Sequence, residues 1–217
     1  MVIHNLGLKN SILNQFVLEL RDVTIQKDAM RFRKNIERIG EILSYELSTA
    51  LDYETRTVQT PLGTKEISVP KNAIVLCSIL RAGLPLHQGL LNYFDAAENG
   101  FISAYRDHQN TDDDFEIVVK YLASPSLKDK TLILADPMLA TGKTLENTFT
   151  VMKRHGMPEQ VHIVSVIGSE QGISYIKNVF PENTHLWIAA VDEKLNDKSY
   201  IIPGLGDAGD LSFGVKL

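Results

Sequence analysis

The chain has 217 residues and only one cysteine, Cys77, so no intrachain disulfide can brace it and a reducing compartment fits. No apolar run is long enough to span a bilayer. Met1 to Asn10 carry neither a basic n-region nor an extended apolar stretch, which argues against a secretory signal and makes the cytoplasm the expected compartment. Positive charge is not in excess either. Lys+Arg number 22 against 27 Asp+Glu, a net charge of -5, where nonspecific nucleic-acid binding wants a basic face. Repeats, low-complexity tracts and long linkers are missing as well. What remains is ordinary for a globular protein, 44% hydrophobic and 23% charged, with length enough for one large domain and a substantial core.

Short apolar runs recur at intervals that suit strand, helix, strand units. They are Ala73 to Leu80, Phe101 to Tyr105, Thr131 to Ala135, Val161 to Ile167 and Leu186 to Val191. Near-continuous apolar strands imply burial on both faces, as in a parallel sheet covered by helices. Helices are predicted between them over Leu84 to Phe94, Thr144 to His155 and Gly172 to Phe180, with Gly156 and Pro158 stopping the second. The fold class is therefore α/β, a mainly parallel central sheet flanked by helices. Ahead of it, Asp28 to Leu51 is helical, with Met30, Ile36, Ile39, Leu43 and Leu47 on one stripe. Thr55 to Val69, containing Pro61-Leu62-Gly63, is predicted to form a β-hairpin or arm. Glu116 to Leu122 alternates like an exposed strand, and Asp112-Asp113-Asp114 before it marks a solvated loop rather than a metal site.

Three loops carry candidate chemistry. The run from Leu132 to Thr144 takes a buried strand to an acid, Asp136, then through Pro137, Met138, Leu139, Ala140, Thr141, Gly142 and Lys143 into a helix. Ligands of open α/β sheets bind at the carboxyl ends of strands, and a helix N-terminus preceded by small residues can receive a phosphate. The tail Gly142-Lys143-Thr144 is not a Walker A motif, because Pro137 stands where that motif needs a glycine. A plain strand-to-helix turn capped by Thr141 is the alternative, which the acid makes less comfortable. Arg81 leaves the first core strand within Ser78-Ile79-Leu80-Arg81-Ala82-Gly83, and Arg106 leaves the second. Each either offers a bidentate fork to an anion or pairs with a surface carboxylate. The third loop runs from Tyr200 to Asp210, where three glycines and two acids suit close main-chain approach to a planar ring.

Together these segments resemble the uracil phosphoribosyltransferases. That family carries a D-P-M-L-A-T-G-G-S loop for 5-phosphoribosyl-1-diphosphate and a Y-I-I/V-P-G-L-G-D-A-G-D segment for uracil. Here they read Asp136 to Thr144 and Tyr200 to Asp210, with Arg81, Tyr105-Arg106 and Arg31-Phe32-Arg33 also matching. The similarity runs from about residue 12 to Gly214. The resemblance implies a type I phosphoribosyltransferase fold over residues 1–217: N-terminal helices and β-arm to about 72, core from about 73 to 191, and a base-binding hood from about 192. It implies transfer of the phosphoribosyl group to uracil, giving UMP and diphosphate with Mg²⁺. Arg81 and Arg106 would contact the diphosphate, Asp136 the ribose hydroxyls, and Ala140 to Thr144 the 5′-phosphate. Tyr200, Ile201, Gly206, Asp207 and Ala208 would hold uracil, with Asp207 also reaching the metal through water. No His or Glu in these motifs stands ready to take the N1 proton of uracil, so the base stays unassigned, with Asp207 acting through water as one candidate. The resemblance also points to a GTP effector and a homodimer or larger homo-oligomer, with neither nucleic acid nor membrane as partner.

Two departures bear on this reading. Many phosphoribosyltransferases have two adjacent acids where this chain has Asp136-Pro137, but the uracil family shares the proline. Lys143-Thr144 replaces that family's Gly-Ser. Thr144 can replace the serine hydroxyl, whereas a lysine fits at 143 only if the loop needs no positive φ there or has shifted its geometry. It also offers an additional cation near the phosphate. The competing functions are transfer to another nucleobase and a nucleotide-sensing regulator on the same fold. The remaining residues draw plain structural expectations: Cys77, Trp187 and Tyr175 as packing, His87, His108, His155 and His162 without metal-ligand spacing, and Arg31 and Arg33 on a helix surface or subunit contact.

Overall fold

The computed structural model describes residues 1–107 and 116–216, and for 104–107 and 116–120 the backbone alone. The acidic run Asp112-Asp113-Asp114 and His108 lie outside the described residues. The chain begins with β1 (Val2–Asn5), α1 (Ile12–Arg21) and α2 (Ala29–Ser48). Asp28 caps α2 by accepting hydrogen bonds from the N–H groups of Met30 and Arg31, each at 3.1 Å. The stripe of α2 turns Phe32, Ile36, Ile39, Leu43 and Leu47 inward. Met30 departs from the expected stripe. It sits in the first turn with its side chain in solvent, 66% exposed.

The arm is β2 (Tyr53–Thr60) paired antiparallel with β3 (Gly63–Pro70), a two-stranded sheet on its own. The core then alternates: β4 (Ile74–Leu80), α3 (Gly83–Leu91), β5 (Glu98–Asp107), β6 (Glu116–Ala123), β7 (Thr131–Ala135), β8 (Met138–Leu139), α4 (Lys143–Met152), β9 (Gln160–Ser169), α5 (Glu170–Val179) and β10 (His185–Asp192). The sheet runs β1-β10-β9-β7-β4-β5-β6, with β8 also on β9. Every pair is parallel except β5–β6, so the sheet is mainly parallel, as the apolar runs predict. The chain ends in the short hairpin β11 (Lys194–Leu195) and β12 (Ile201–Ile202), followed by α6 (Ala208–Phe213).

Alternate residues of each core strand serve two cores. Leu76, Ile133 and Val164 join Leu13, Leu20 and the α2 stripe under one face. Val75, Cys77, Leu132, Leu134 and Ile163 join Leu145, Phe149 and Ile176 of α4 and α5 under the other. From β4 the chain proceeds outward through β5 and β6, then returns to β7 on the other side of β4. The order therefore reverses between β4 and β7. Crevices for ligands form at such a reversal, beyond the carboxyl ends of the strands.

β1, β8, β11, β12 and α6 have no counterpart in the expectations from sequence, and α1 is expected only as one of the N-terminal helices that the resemblance implies. β1 is four residues of mixed polarity and owes its place to pairing with β10. It carries His4 into a cluster with His185 and Trp187 of β10 and His162 of β9. His4 stacks on Trp187 with centroids 3.7 Å apart, and its Nε2 lies 3.1 Å from His185 Nδ1. Trp187 Nε1 donates to His162 Nδ1 at 3.0 Å, which places the ring proton of His162 on Nε2, a buried atom with no partner among the described residues.

Burial drives His162 down to about 3, helped by His185 and His4. It also lowers His4, whose shift His185 adds to and Glu46 opposes, and it lowers His185, where the N-terminal amine adds to it. All three lie below the 6.5 of a free histidine, so the unfolded chain binds more protons as pH falls through that value. Stability is complete above about pH 6.5 and declines below it. The His162 contribution alone is about 2 kcal/mol between neutrality and about pH 5. Urea unfolding at the two pH values measures this, with His162→Gln expected to shrink the loss. Equal stability at both would contradict it.

Candidate active site

A cleft of about 940 Å³ opens at the reversal point. Its walls are Ile79 and Ala82 at the end of β4, Asp136, Met138, Ala140 and Thr144 after β7, and Asp197 to Tyr200 with Gly206 to Asp210 from the C-terminal segment; Lys216 also borders it. Three segments far apart in sequence thus share one wall system because β4 and β7 are neighbours and the C-terminal chain folds over them. A small cup adjoins it, formed by Asp136, Met138 to Gly142, Thr144 and Leu145.

The loop from 136 to 142 is fixed along β9. The Asp136 carbonyl accepts from Ser165 Oγ at 2.6 Å, and the Pro137 carbonyl accepts from the N–H groups of Val166 and Ile167 at 3.1 and 3.0 Å. β8 pairs with Ile167 and Gly168, and the Ala140 carbonyl accepts from Ser169 Oγ at 2.6 Å. One oxygen of the Asp136 carboxylate accepts the Met138 N–H at 3.2 Å. Gly142 caps α4 at φ 81, a left-handed value that favours glycine, and a Cβ there would meet Ile176 at 2.8 Å and Tyr175 at 2.9 Å. Lys143 is the first residue of α4 and is not among the positive-φ residues. The left-handed residue is Gly142, so the lysine is housed without backbone strain.

Over the cleft lies the β11–β12 hairpin. Asn196 shapes its turn, its Oδ1 accepting from Lys198 N and Tyr200 N at 3.0 and 2.9 Å. The following turn is anchored by Asp192, buried at the end of β10. Arg21 of α1 gives it a bidentate pair, both contacts 2.8 Å, and Gly204 N donates at 2.9 Å. Burial pushes the Asp192 carboxyl up, but the Arg21 bonds and the Gly204 N–H outweigh it and hold the group below its usual range. Asp207 then caps α6 through Asp210 N at 2.9 Å, and Lys216 Nζ stands 3.5 Å from its other oxygen. Arg33 of α2 donates to the Ser212 carbonyl at 2.6 Å and lies over the Phe213 ring, so it braces this helix. Arg31 pairs with Glu19 at 3.3 Å.

Of the residues singled out in the sequence, Asp136, Met138, Ala140, Thr144, Tyr200, Gly206, Asp207 and Ala208 border the cleft, and Leu139, Thr141 and Gly142 border the cup. Arg81 follows β4, next to Ala82 of the cleft wall, and binds Asp210 Oδ1 at 3.0 Å and the Gly214 carbonyl at 3.2 Å. It is paired with a carboxylate, as one reading held, but that carboxylate belongs to the cleft wall. The backbone of Arg106 lies on β5, paired with Ile117 of β6 and three residues beyond Ser103, the partner of Leu80 at the end of β4. Its side chain is outside what is described. Four described residues of this set do not border the openings, Arg81 among them. Ile201 points into the core at 3% exposure, Pro137 turns its carbonyl to β9, and Lys143 begins α4. The sequence reading left out Ile79, Ala82 and Leu145 as site residues, and also Asp197, Lys198, Ser199, Gly209, Asp210 and Lys216. The last six reach the cleft only through the fold of the hairpin and the C-terminus, though Gly209 and Asp210 lie inside the quoted glycine-rich motif.

A family model described as uracil phosphoribosyltransferase matches residues 8–215. A uracil phosphoribosyltransferase of Porphyromonas gingivalis is 54% identical over 216 residues, covering 100% of this chain and 99% of that one. One from Thermococcus gammatolerans is 41% identical over 206 residues, covering 94% and 89%. The solved structure of an Aquifex aeolicus protein aligns over 100% of both chains with a TM-score of 0.87 at 33% identity. The cleft at the β4–β7 reversal, the Asp136 loop and the glycine-rich hood are thus parts of a chain that belongs to the uracil phosphoribosyltransferase family.

Proposed function

We propose that the protein transfers the 5-phosphoribosyl group of 5-phosphoribosyl-1-diphosphate to uracil, releasing UMP and diphosphate. The observation that carries this is the single cleft lined by both the Asp136 loop and the Gly206 to Asp210 segment, with a small cup beside it. A ribose seated between them would have its 5′-phosphate at residues 140 to 144, at the N-terminus of α4. The Asp136 carboxylate, which accepts the Met138 N–H, would bind the ribose hydroxyls. Main-chain groups of Gly206 to Ala208, with Tyr200 beside them, would read the pyrimidine edge.

Displacement at the anomeric carbon develops positive charge on the sugar and negative charge on the departing diphosphate. Arg81 would leave Asp210 and Gly214 to bind that diphosphate, joined by Arg106 from β5. Mg²⁺ fits the donor set. No cluster of three or more metal-ligating side chains exists among the described residues, and a cation that takes one or two carboxylates plus substrate phosphates needs none. Asp207, through water, and Asp136 are the carboxylates that would hold it. The ion would neutralise the leaving diphosphate. Among the described residues lining the cleft there is no histidine, so Asp207 through water is the group proposed to receive the uracil N1 proton.

Residues 1–217 are read as one domain that works in the cytoplasm as a homodimer or larger assembly, with GTP as effector. The assembly and the effector rest on the resemblance, the compartment on the single cysteine and the composition of the first ten residues, and the single domain on the lack of repeats and linkers. The arm is the surface such an assembly would cover, with Leu62 99% exposed and Val58 and Ile67 in solvent.

Purified protein with Mg²⁺, labelled uracil and the phosphoribosyl donor is expected to form UMP. Arg81→Ala should lower kcat at least a hundredfold, about 3 kcal/mol by analogy with a lost oxyanion donor. No UMP from the wild type would overturn the function, and an active Arg81→Ala would overturn that role. Asp192→Asn should loosen the hood, raising KM for uracil about tenfold while KM for the donor stays put, as steady-state kinetics in each substrate would show.

A further inference from the structure

Ser169 ends β9 and caps α5, and its hydroxyl is fully buried in a bridge between two elements. It donates to the Ala140 carbonyl at 2.6 Å and accepts from Gly172 N at 2.9 Å. Gly172 packs so closely on the same carbonyl that a Cβ would stand 2.2 Å from its oxygen. The Ala140 carbonyl therefore has a fixed direction, toward β9 and α5. In a planar trans peptide, the N–H of one residue points opposite to the carbonyl of the residue before it. Fixing the Ala140 carbonyl on Ser169 turns the Thr141 N–H the other way, and Thr141 borders the cup.

We propose that Ser169 is a positioning residue that aims the Thr141 N–H into the cup, so that a sugar 5′-phosphate meets a preset donor. The inference rests on the phosphoribosyl reading of the cup, which names the anion. Ser165 makes an equal bond to the Asp136 carbonyl but has no such role, because the next nitrogen belongs to Pro137 and carries no hydrogen. Without the Ser169 hydroxyl the 140–141 peptide can rotate, and the donor is lost from part of the population before any ligand arrives.

The test compares Ser169→Ala with Ser169→Thr, which keeps a hydroxyl, and with Ser11→Ala, which removes an equivalent cap from α1 away from the cleft. Steady-state kinetics are joined by the amide resonance of Thr141 followed during titration with ribose 5-phosphate. Ser169→Ala is expected to raise KM for the donor about tenfold, the size of one hydrogen bond to a charged group, with kcat and KM for uracil little changed. The saturable shift of the Thr141 amide seen in the wild type should fade with it, and Ser169→Thr should restore both. Unchanged donor KM in Ser169→Ala, or an equal rise in Ser11→Ala, would overturn the inference while leaving UMP synthesis by the wild type intact. A wild type that makes no UMP, yet shows the Thr141 shift and its loss in Ser169→Ala, would overturn the reaction and uphold the positioning.

Discussion

Between Asp136 and Ala140 the chain gives three of its carbonyl groups to β9 and its serines. A loop that leaves a strand and starts a helix ordinarily needs partners for its polar groups. Here β9 supplies them from one side, in a register set by β8 on Ile167 and Gly168. The Asp136 carboxylate and the start of α4 then border the openings beside the loop. The neighbouring strand order does the rest. β7 lies between β9, which holds the loop, and β4, which delivers Arg81.

The hood is fastened by different physics. Its turn at Gly204 hangs on a mostly buried ion pair, Arg21 with Asp192, that joins α1 to the end of β10. Such a pair adds little net stability against an apolar substitute, but losing one partner leaves an uncompensated charge. It therefore fixes a geometry more than it strengthens a fold. Arg33 from α2 makes the second attachment, on the last turn of α6. The N-terminal helices thus hold the C-terminal segment over the cleft, which explains why a chain segment so distant in sequence lies beside the Asp136 loop.

Much of this was legible beforehand because the buried strands are nearly all apolar and the helices between them are periodic. Every core strand expected from its apolar run is present, with ends shifted by a few residues. β1 was not legible: four residues of mixed polarity become a strand only because β10 has an open edge. α1 was equally faint, with only Leu13 and Leu20 fully buried along its length. Met30 looked like part of the α2 stripe, yet it stands six residues before Ile36, about 120° round the helix from it, and faces solvent. At the site, motif letters marked the Asp136 loop and the glycine-rich segment, but letters do not say which atoms face a ligand. Ile201 lies in a quoted motif and faces the core, while Lys216 lies outside one and reaches the cleft. Lys143 shows the reverse case. Its cost depended on which residue takes the left-handed conformation, and that is Gly142.

The central claim is that one cleft seats the sugar phosphate at the Asp136 loop and the pyrimidine under the hood. A crystal structure of the protein with UMP bound tests it most directly. The account expects the phosphate within hydrogen-bond distance of the main-chain N–H groups at 140 to 144 and the uracil ring against the main chain of 206 to 208. A nucleotide bound with its phosphate at Arg81 and its ring outside the hood, or bound elsewhere on the molecule, would contradict it.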